Sequence, residues 1–351
     1  MDTQTPAPAE KRPRKLLPRF FAFLGVTLLC LLIVLLGVIW VLEKGPSPTV
    51  TETFCRSVRE TSALKWMPRL FLSEEEIDQY KSVSTEEEET AAVNTSLIHM
   101  AQIQPVEEDN PGFELLDINE GTCKGKLMIV YDPKRVILGT SDNYGKEPGL
   151  TLTDMVAKYD AIAGINAGGL NDEGGRGDGS RPQGLVIKEG ELIWGEGKGA
   201  YNMVGIDKDG ILHVGTMSGT EALELGIQWG VSFVTYDGLS STLIVNGEVQ
   251  TRNLGGGVNP RTAIGQRNDG AILLLVLDGR SISTLGATMQ DICDIMLEYG
   301  AVNAGNLDGG SSSAIVFRRE GKNWKKINAT SSPKVQQLKD IIYFVSAWDR
   351  K

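Results

Sequence analysis

Residues 20 to 42, FFAFLGVTLLCLLIVLLGVIWVL, carry no charge. A bilayer core takes about 20 apolar residues as a helix, so this run crosses a membrane once and anything that folds in water lies beside it. A cleaved signal peptide would have a shorter apolar region, roughly 7 to 15 residues, ending in a small-residue cleavage site. Here the run is long and leads into Glu43-Lys44-Gly45-Pro46, the pattern of an uncleaved signal anchor. Residues 1 to 19 form a basic leader with Lys11, Arg12, Arg14, Lys15 and Arg19. Those cations keep the N-terminus cytoplasmic. The expectation is a single-pass cell-membrane protein with its main domain extracellular.

Residues 43 to 111 read as a stalk or linker. A helix is expected over 51–72, with Phe54, Val58, Leu64, Met67 and Leu70 on one stripe. The acid runs Glu74-Glu75-Glu76 and Glu86 to Glu89 read as solvated. From residue 112 the pattern changes to short apolar runs between glycine- and aspartate-bearing turns. Strands are predicted at 127–131, 135–139, 161–166, 184–187, 203–206, 232–236, 242–245, 261–265, 272–277, 301–306, 314–317 and 341–345. Helices are predicted only near 152–159 and 288–299, the second opened by a capping box of Thr288 and Asp291. So few helices among so many strands predict an α+β domain over 112–351, β-rich with a mixed sheet.

Several chemistries are excluded. His99 and His213 are the only histidines, too few for a Ser-His-Asp hydrolase or a histidine-built zinc site. No HExxH, CxxC, Walker or Rossmann fingerprint occurs. A formal charge of −10 speaks against nucleic acid as a partner. Outside the span, Cys55, Cys123 and Cys293 cannot all pair, so there is no disulfide scaffold; Cys55 with Cys123 is the one bridge considered. Cys293 falls in a predicted helix, as a small buried apolar residue does.

The chemistry concentrates in 301–317, AVNAGNLDGGSSSAIVF. Two buried strands flank a turn crowded with Asn303, Asn306, Asp308, paired glycines and three serines, more polarity than a structural turn needs. Four other segments resemble it in kind: GINAGGLND at 164–172, GGRGDGSRPQGLVIKEGEL at 174–192, NPRTAIGQ at 259–266 and LLLVLDGR at 273–280. The second is read as a loop entering a hairpin that turns at Lys188-Glu189-Gly190. Its Arg-Gly-Asp triplet at 176–178 reads as coincidence, and the spacing of Asp172, Glu173 and Asp178 is not that of a calcium loop.

Taken in this order, these segments resemble the phosphodiester glycosidase family over residues 112 to 347. The likeness rests on the Asn-Gly-rich turn at 165–169, Pro182-x-Gly184, Asn259-Pro260-Arg261-Thr262, Asp278-Gly279-Arg280 and Asn306-Leu307-Asp308-Gly309-Gly310. The resemblance implies hydrolysis of the bond between a sugar's anomeric carbon and a phosphodiester in a cell-envelope glycopolymer or exopolysaccharide. Arg261 suits the phosphate oxygens. Asp308, then Asp278, are the candidate catalytic carboxylates. Asn166, Asn306, Ser311 and Ser312 would hold sugar hydroxyls or phosphate oxygens, with backbone donors from Gly309 and Gly310. The residues name no cofactor with certainty; a divalent cation is the one candidate, and it would take Asp278 and Asp308 as ligands. The family places a glycine where Ser311 stands and an aromatic near Leu170. Those departures motivate the alternative, a non-catalytic glycan-binding module on the same fold. A protein-binding domain on a stalk is the third reading.

Overall fold

The computed structural model describes residues 16–60, 64–80, 92–100, 111–141, 144–146, 148–171, 179–233, 241–250, 254–279, 284–318, 324–328 and 343–347. It divides into two units, Met1–Thr51 and Glu52–Lys351. The basic leader up to residue 15, the acid run 86–89, the Arg-Gly-Asp triplet, Asp172, Glu173 and Arg280 lie outside the described residues.

In the first unit, α1 (Leu16–Lys44) holds a stretch, Pro18–Lys44, long and apolar enough to cross a membrane. Phe23, Leu31 and Val34 stand exposed along it, as on a helix that is apolar all round. Next comes α2 (Pro48–Arg59), most of which belongs to the second unit. The single helix expected over 51–72 is not formed. α2 ends at Arg59, and a 3-10 turn, Met67–Leu70, follows around Pro68, which lacks an N–H and cannot sit inside a helix. Ser73 and Glu76 then close a capping box on α3 (Glu74–Asp78).

The strands in chain order are β1 (Phe113–Glu120), β2 (Cys123–Val130), β3 (Val136–Gly139), β4 (Ala161–Asn166), β5 (Val186–Lys188), β6 (Glu191–Trp194), β7 (Tyr201–Asp207), β8 (Leu212–Met217) and β9 (Ile227–Ser232). They continue as β10 (Thr242–Val245), β11 (Glu248–Val249), β12 (Arg261–Arg267), β13 (Ile272–Leu277), β14 (Ala301–Asn306), β15 (Ile315–Arg318), β16 (Trp324–Lys326) and β17 (Tyr343–Ala347). Between them lie α4 (Leu152–Lys158), α5 (Gly219–Glu224) and α6 (Met289–Glu298). This is an α+β, β-rich architecture with few helices. Three sheets form, ordered β1-β2-β13-β12-β14-β10-β11, β16-β15-β4-β17-β3 and β6-β5-β9-β7-β8. Every strand pair in them, among the described residues, is antiparallel.

One core joins all three sheets: Met128, Ile264 and Leu274 from the first, Leu138 and Ile165 from the second, Val204 and Val231 from the third. The other face of the first sheet carries Leu127, Leu273 and Leu275, which pack with Ile292, Cys293 and Met296 of α6. β13 is therefore buried on both faces, which explains its unbroken apolar run. Each such side chain contributes about 1.5–3 kcal/mol of burial. The α6 start is set as expected, Thr288 and Asp291 capping reciprocally.

β9 lies at 227–232, just before the strand expected at 232–236, whose last three residues lie outside the described set. Gln228 and Gly230 dilute the apolar signal there. The hairpin at 188–190 turns where expected, through positive φ at Glu189 and Gly190. All four cysteines are free, so the Cys55–Cys123 bridge is not made. Cys55 packs on Leu72 and Ile77, while the Cys123 thiol faces the Gly286 carbonyl at 3.7 Å. Burial pushes the Cys293 thiol up to about 12, and burial followed by Asp291 pushes Cys123 to about 11, so neither is a nucleophile at neutral pH.

A buried pair locks the β7–β8 hairpin. Asp207 accepts from the backbone N–H of Asp209 and Ile211 at 2.9 Å each and meets His213 Nε2 at 2.9 Å. Burial alone would raise its carboxyl pKa, yet these hydrogen bonds hold it below the usual range. The stability that this ionised group contributes is therefore present above its ordinary pKa, about 3.9, and is lost as pH falls through the lower folded value. Asp207→Asn is expected to cost about 2 kcal/mol at pH 7. Thermal melts should show that deficit shrinking as pH falls below the ordinary carboxyl pKa of about 3.9.

Candidate functional site

The motif segments converge on one edge of the fold. β12 begins where β13 and β14 end: Arg261 pairs with Leu277, and Ala263 with Asn306. Alternation along β12 splits its side chains between two faces. A Cβ on Gly265 would meet Met296 Sδ of α6 at 2.9 Å, so Arg261 and Ala263 share the α6 face, as does Asn306 opposite Ala263. Thr262 takes the other face, toward β4.

There it meets Asn166, which is fully buried at the end of β4. The Asn166 Oδ1 accepts from Thr262 Oγ1 at 2.8 Å and from the Ala314 N–H at 3.0 Å. Its Nδ2 donates to the Asp308 carbonyl at 2.5 Å, and the Asp308 N–H donates to Ala167 O at 2.8 Å. One amide thus ties two sheets to the Asp308 turn. The acceptor expected to meet a sugar hydroxyl is committed inside the protein.

The turn itself follows from its glycines. Gly310 has φ +61 and donates its N–H to Pro260 O at 2.9 Å, so this expected substrate donor is also engaged. A Cβ on Gly309 would lie 3.0 Å from Pro260 O, a tight contact, so glycine suits the close approach of the Asp308 turn to Pro260 and Arg261. Gly309 N–H is given to no described residue. Ser311 is exposed and Ser312 half-buried in the 3-10 turn Gly310–Ser312. Three buried polar atoms around this turn have no partner among the described residues: Asn306 Oδ1, Ser313 Oγ and Ser241 Oγ. Such atoms are uncommon in a folded interior and mark a place for water or ligand. Ser241 is joined to the site through its carbonyl, which accepts from Asn306 N–H at 2.7 Å. Asp278 is half-buried just past β13, its N–H bonded to Lys124 O at 2.6 Å. Asp308 is half-buried past β14. Because β12 lies between those strands, the two backbones stand about 10 Å apart.

Arg261 is buried, and its fork is largely occupied. Nε donates to Ala287 O at 3.1 Å, and Nη2 donates to Gly257 O and pairs with Glu60 at 3.0 Å. Nη1 has no partner among the described residues. Glu60 follows α2, in the region read as a stalk. Its Oε1 accepts from the Gly257 N–H at 2.8 Å and its Oε2 from Asn259 Nδ2 at 2.5 Å, while Ser57 Oγ accepts from the Val258 N–H at 2.9 Å. A Cβ on Gly257 would sit 2.2 Å from Ser57 N, so only glycine admits α2 there. Sequence reasoning missed Glu60 and Ser241, and it offered Ser313 only as one of the three serines of the turn. The one signal for Glu60 was the Gly255-Gly256-Gly257 run before Asn259, a backbone stripped for close approach.

Among the described residues, no group of three or more His, Cys, Asp or Glu side chains is arranged to hold a metal ion. Asp278 and Asp308 are the acidic pair at this edge, and a shared cation would require their side chains to converge across β12.

The family model described as phosphodiester glycosidase matches residues 159–345, which include Asn166, Arg261, Asp278 and Asp308. The chain belongs to that family, whose members act on phosphorylated glycans. It is 28% identical over 201 residues to the SPbeta prophage-derived uncharacterized protein YomE of Bacillus subtilis (strain 168), covering 55% of this chain and 30% of that protein. It is 27% identical over 147 residues to N-acetylglucosamine-1-phosphodiester alpha-N-acetylglucosaminidase of Mus musculus, covering 38% of this chain and 28% of the enzyme. The chain therefore spans less than a third of each curated relative. The catalytic domain of the zebrafish N-acetylglucosamine-1-phosphodiester alpha-N-acetylglucosaminidase, auto-inhibited by its pro-peptide, shares the fold. Its TM-score is 0.53 at 17% identity, over 75% of this chain and 96% of that one.

Asn166→Ala removes three hydrogen bonds and strands the Thr262 hydroxyl and the Ala314 N–H. Urea unfolding should show a loss of about 2–4 kcal/mol.

Proposed function

We propose that this chain is a membrane-anchored hydrolase that cleaves a sugar-1-phosphodiester in a cell-envelope glycopolymer or exopolysaccharide. The observation that carries the reading is the meeting of Arg261, Asn306 and the Asp308 turn at one strand edge, with buried acceptors left open beside them. Family membership supports the reaction class. The apolar helix with its basic leader supports an N-terminus in the cytoplasm and the second unit outside.

In the proposed reaction the bond from the anomeric carbon to the phosphate oxygen breaks, and a water oxygen takes its place. The phosphate leaves with the bond's electron pair, and the water proton is taken up by a carboxylate. Phosphate is already a good leaving group, so the main demands are stabilising the cationic sugar and activating water. Asp308 is assigned that role, with Asp278 second. Arg261 offers its Nη1 edge to the phosphate oxygens, and its charge stabilises the departing phosphomonoester. Asn306 Oδ1 and the Ser311 and Ser312 hydroxyls would accept or donate to the sugar, and Gly309 N–H would meet an oxyanion.

Glu60 complicates this arrangement. It places a carboxylate on the same guanidinium that would receive the substrate anion, and two like charges about 4 Å apart repel by several kcal/mol at a protein surface. That closure, with Asn166 and Gly310 spent internally, is the observation that favours the second reading, a glycan-binding module without turnover.

Full-length protein in detergent, offered a panel of sugar-1-phosphodiesters with and without EDTA, separates the readings. Turnover is expected, with kcat/KM falling about 10²-fold or more in Asp308→Ala and in Arg261→Ala. Full activity in Asp308→Ala would sink the assigned site, and no turnover across the panel would favour the binding module. Loss of activity in EDTA would establish a metal. In the same assay Glu60→Gln should lower KM at least fivefold while costing on the order of 3 kcal/mol of stability.

A further inference from the structure

A cavity opens on the same side of the fold as the Asp308 turn. It has a volume of about 280 Å³ and is lined by Thr140, Ser141, Tyr144, Lys146, Lys188 and Trp194, among others. Its position follows from strand register. β3 and β4 flank β17, and Gly139 and Asn166 both pair with Tyr343, so the two strands end level with each other. Two strand spacings separate them, about 10 Å. Thr140 and Ser141 continue from β3, just as the glycine turn at 167–169 continues from Asn166 and receives the Asp308 N–H at Ala167 O.

The lining has a distinct chemistry. The Tyr144 and Trp194 rings meet edge to face with centroids 5.8 Å apart, both half-buried and so open on one side. The indole is fixed by its N–H on Pro182 O at 3.0 Å. Pro182 bridges to Leu170, and Gln183 N–H donates to Gly169 O at 2.7 Å, so the wall of this cavity is continuous with the turn after Asn166. In a chain of net charge −10, the described lining carries two lysines and no acid. Lys188 Nζ is held by Tyr159 OH at 3.1 Å, while Lys146 is exposed at the rim. Ser141 Oγ is buried with no partner among the described residues. Aromatic faces suited to the apolar face of a sugar ring, beside ammonium groups and an open hydroxyl, are a receptor for an anionic saccharide.

We propose that this cavity binds the neighbouring sugar phosphate unit of the same polymer whose phosphodiester lies at Arg261, making the chain selective for oligomeric over monomeric substrate. The proposal rests on the sugar-phosphodiester reading above. In binding, the sugar lies against Trp194 and Tyr144, and its phosphate is met by Lys146 and Lys188 as point charges.

The test uses full-length protein in detergent carrying Asp308→Asn, titrated by calorimetry. The probes are a single N-acetylglucosamine-1-phosphate methyl diester and a three-repeat oligomer of N-acetylglucosamine joined through 1-phosphodiesters. The oligomer is expected to bind at least tenfold tighter than the monomer. Lys146→Glu, a change at an exposed position that leaves the fold intact, should abolish that advantage. Trp194→Ala should do likewise, and Trp194→Phe, which keeps a ring, should retain most of it. Equal affinity for the two probes, or an oligomer advantage that survives Lys146→Glu, overturns the assignment. Hydrolysis of the monomer by the wild-type chain is read separately. Its absence alongside a Lys146-dependent oligomer advantage would refute the hydrolase and leave this cavity standing as a glycan site.

Discussion

The site depends on one buried amide. Asn166 ends β4 in the second sheet, yet its side chain bonds Thr262 of the first sheet, the Asp308 carbonyl and the Ala314 N–H. Buried polar groups are costly unless paired, so this residue fixes where two sheets meet and how far the Asp308 turn lies from Arg261. The glycines act through that constraint. Gly309 lets the turn touch Pro260, and Gly310 supplies the positive φ that carries the chain on into β15. Distance between chemical groups is set here by backbone ties, and the reactive side chains ride on them.

Arg261 adds a second tie, to a part of the chain far away in sequence. Two backbone carbonyls and Glu60 hold the guanidinium in a nearly closed pocket. Taking both charges out of water is expensive, and the surrounding bonds from Gly257 and Asn259 to Glu60 are what make the pair tolerable. Residues from Glu52 onward consequently fold as one compact unit with the glycosidase domain. An anion reaching Arg261 must share it with Glu60 or displace it, and this couples occupancy of the site to the segment that follows α2.

Much of this was legible in the sequence, for physical reasons that can be named. β13 reads as a strand because six apolar residues in a row have no other economical use, and α6 reads from a capping box whose bonds are local. The Asn-Leu-Asp-Gly-Gly turn announces itself by polarity between two buried runs. What was not legible depends on long-range contact. Asn166 looked like a ligand for sugar because an amide at a strand end says nothing of its partners 96 and 148 positions away. Glu60 looked like a stalk acid because its role exists only once Gly257 has admitted α2. The helix expected through residue 72 stops at Arg59, and Pro68 sits in the 3-10 turn that follows, a breaker that was present and outweighed by the apolar stripe.

The central claim is that water attacks the sugar's anomeric carbon, not the phosphorus. Hydrolysis of a glycosyl phosphodiester by the full-length chain in heavy-oxygen water, with both products weighed by mass spectrometry, tests it directly. The account predicts the heavy oxygen in the sugar's new hydroxyl and none in the phosphomonoester. Heavy oxygen in the phosphate would mean cleavage at phosphorus, and would contradict the roles given to Asp308 and Arg261.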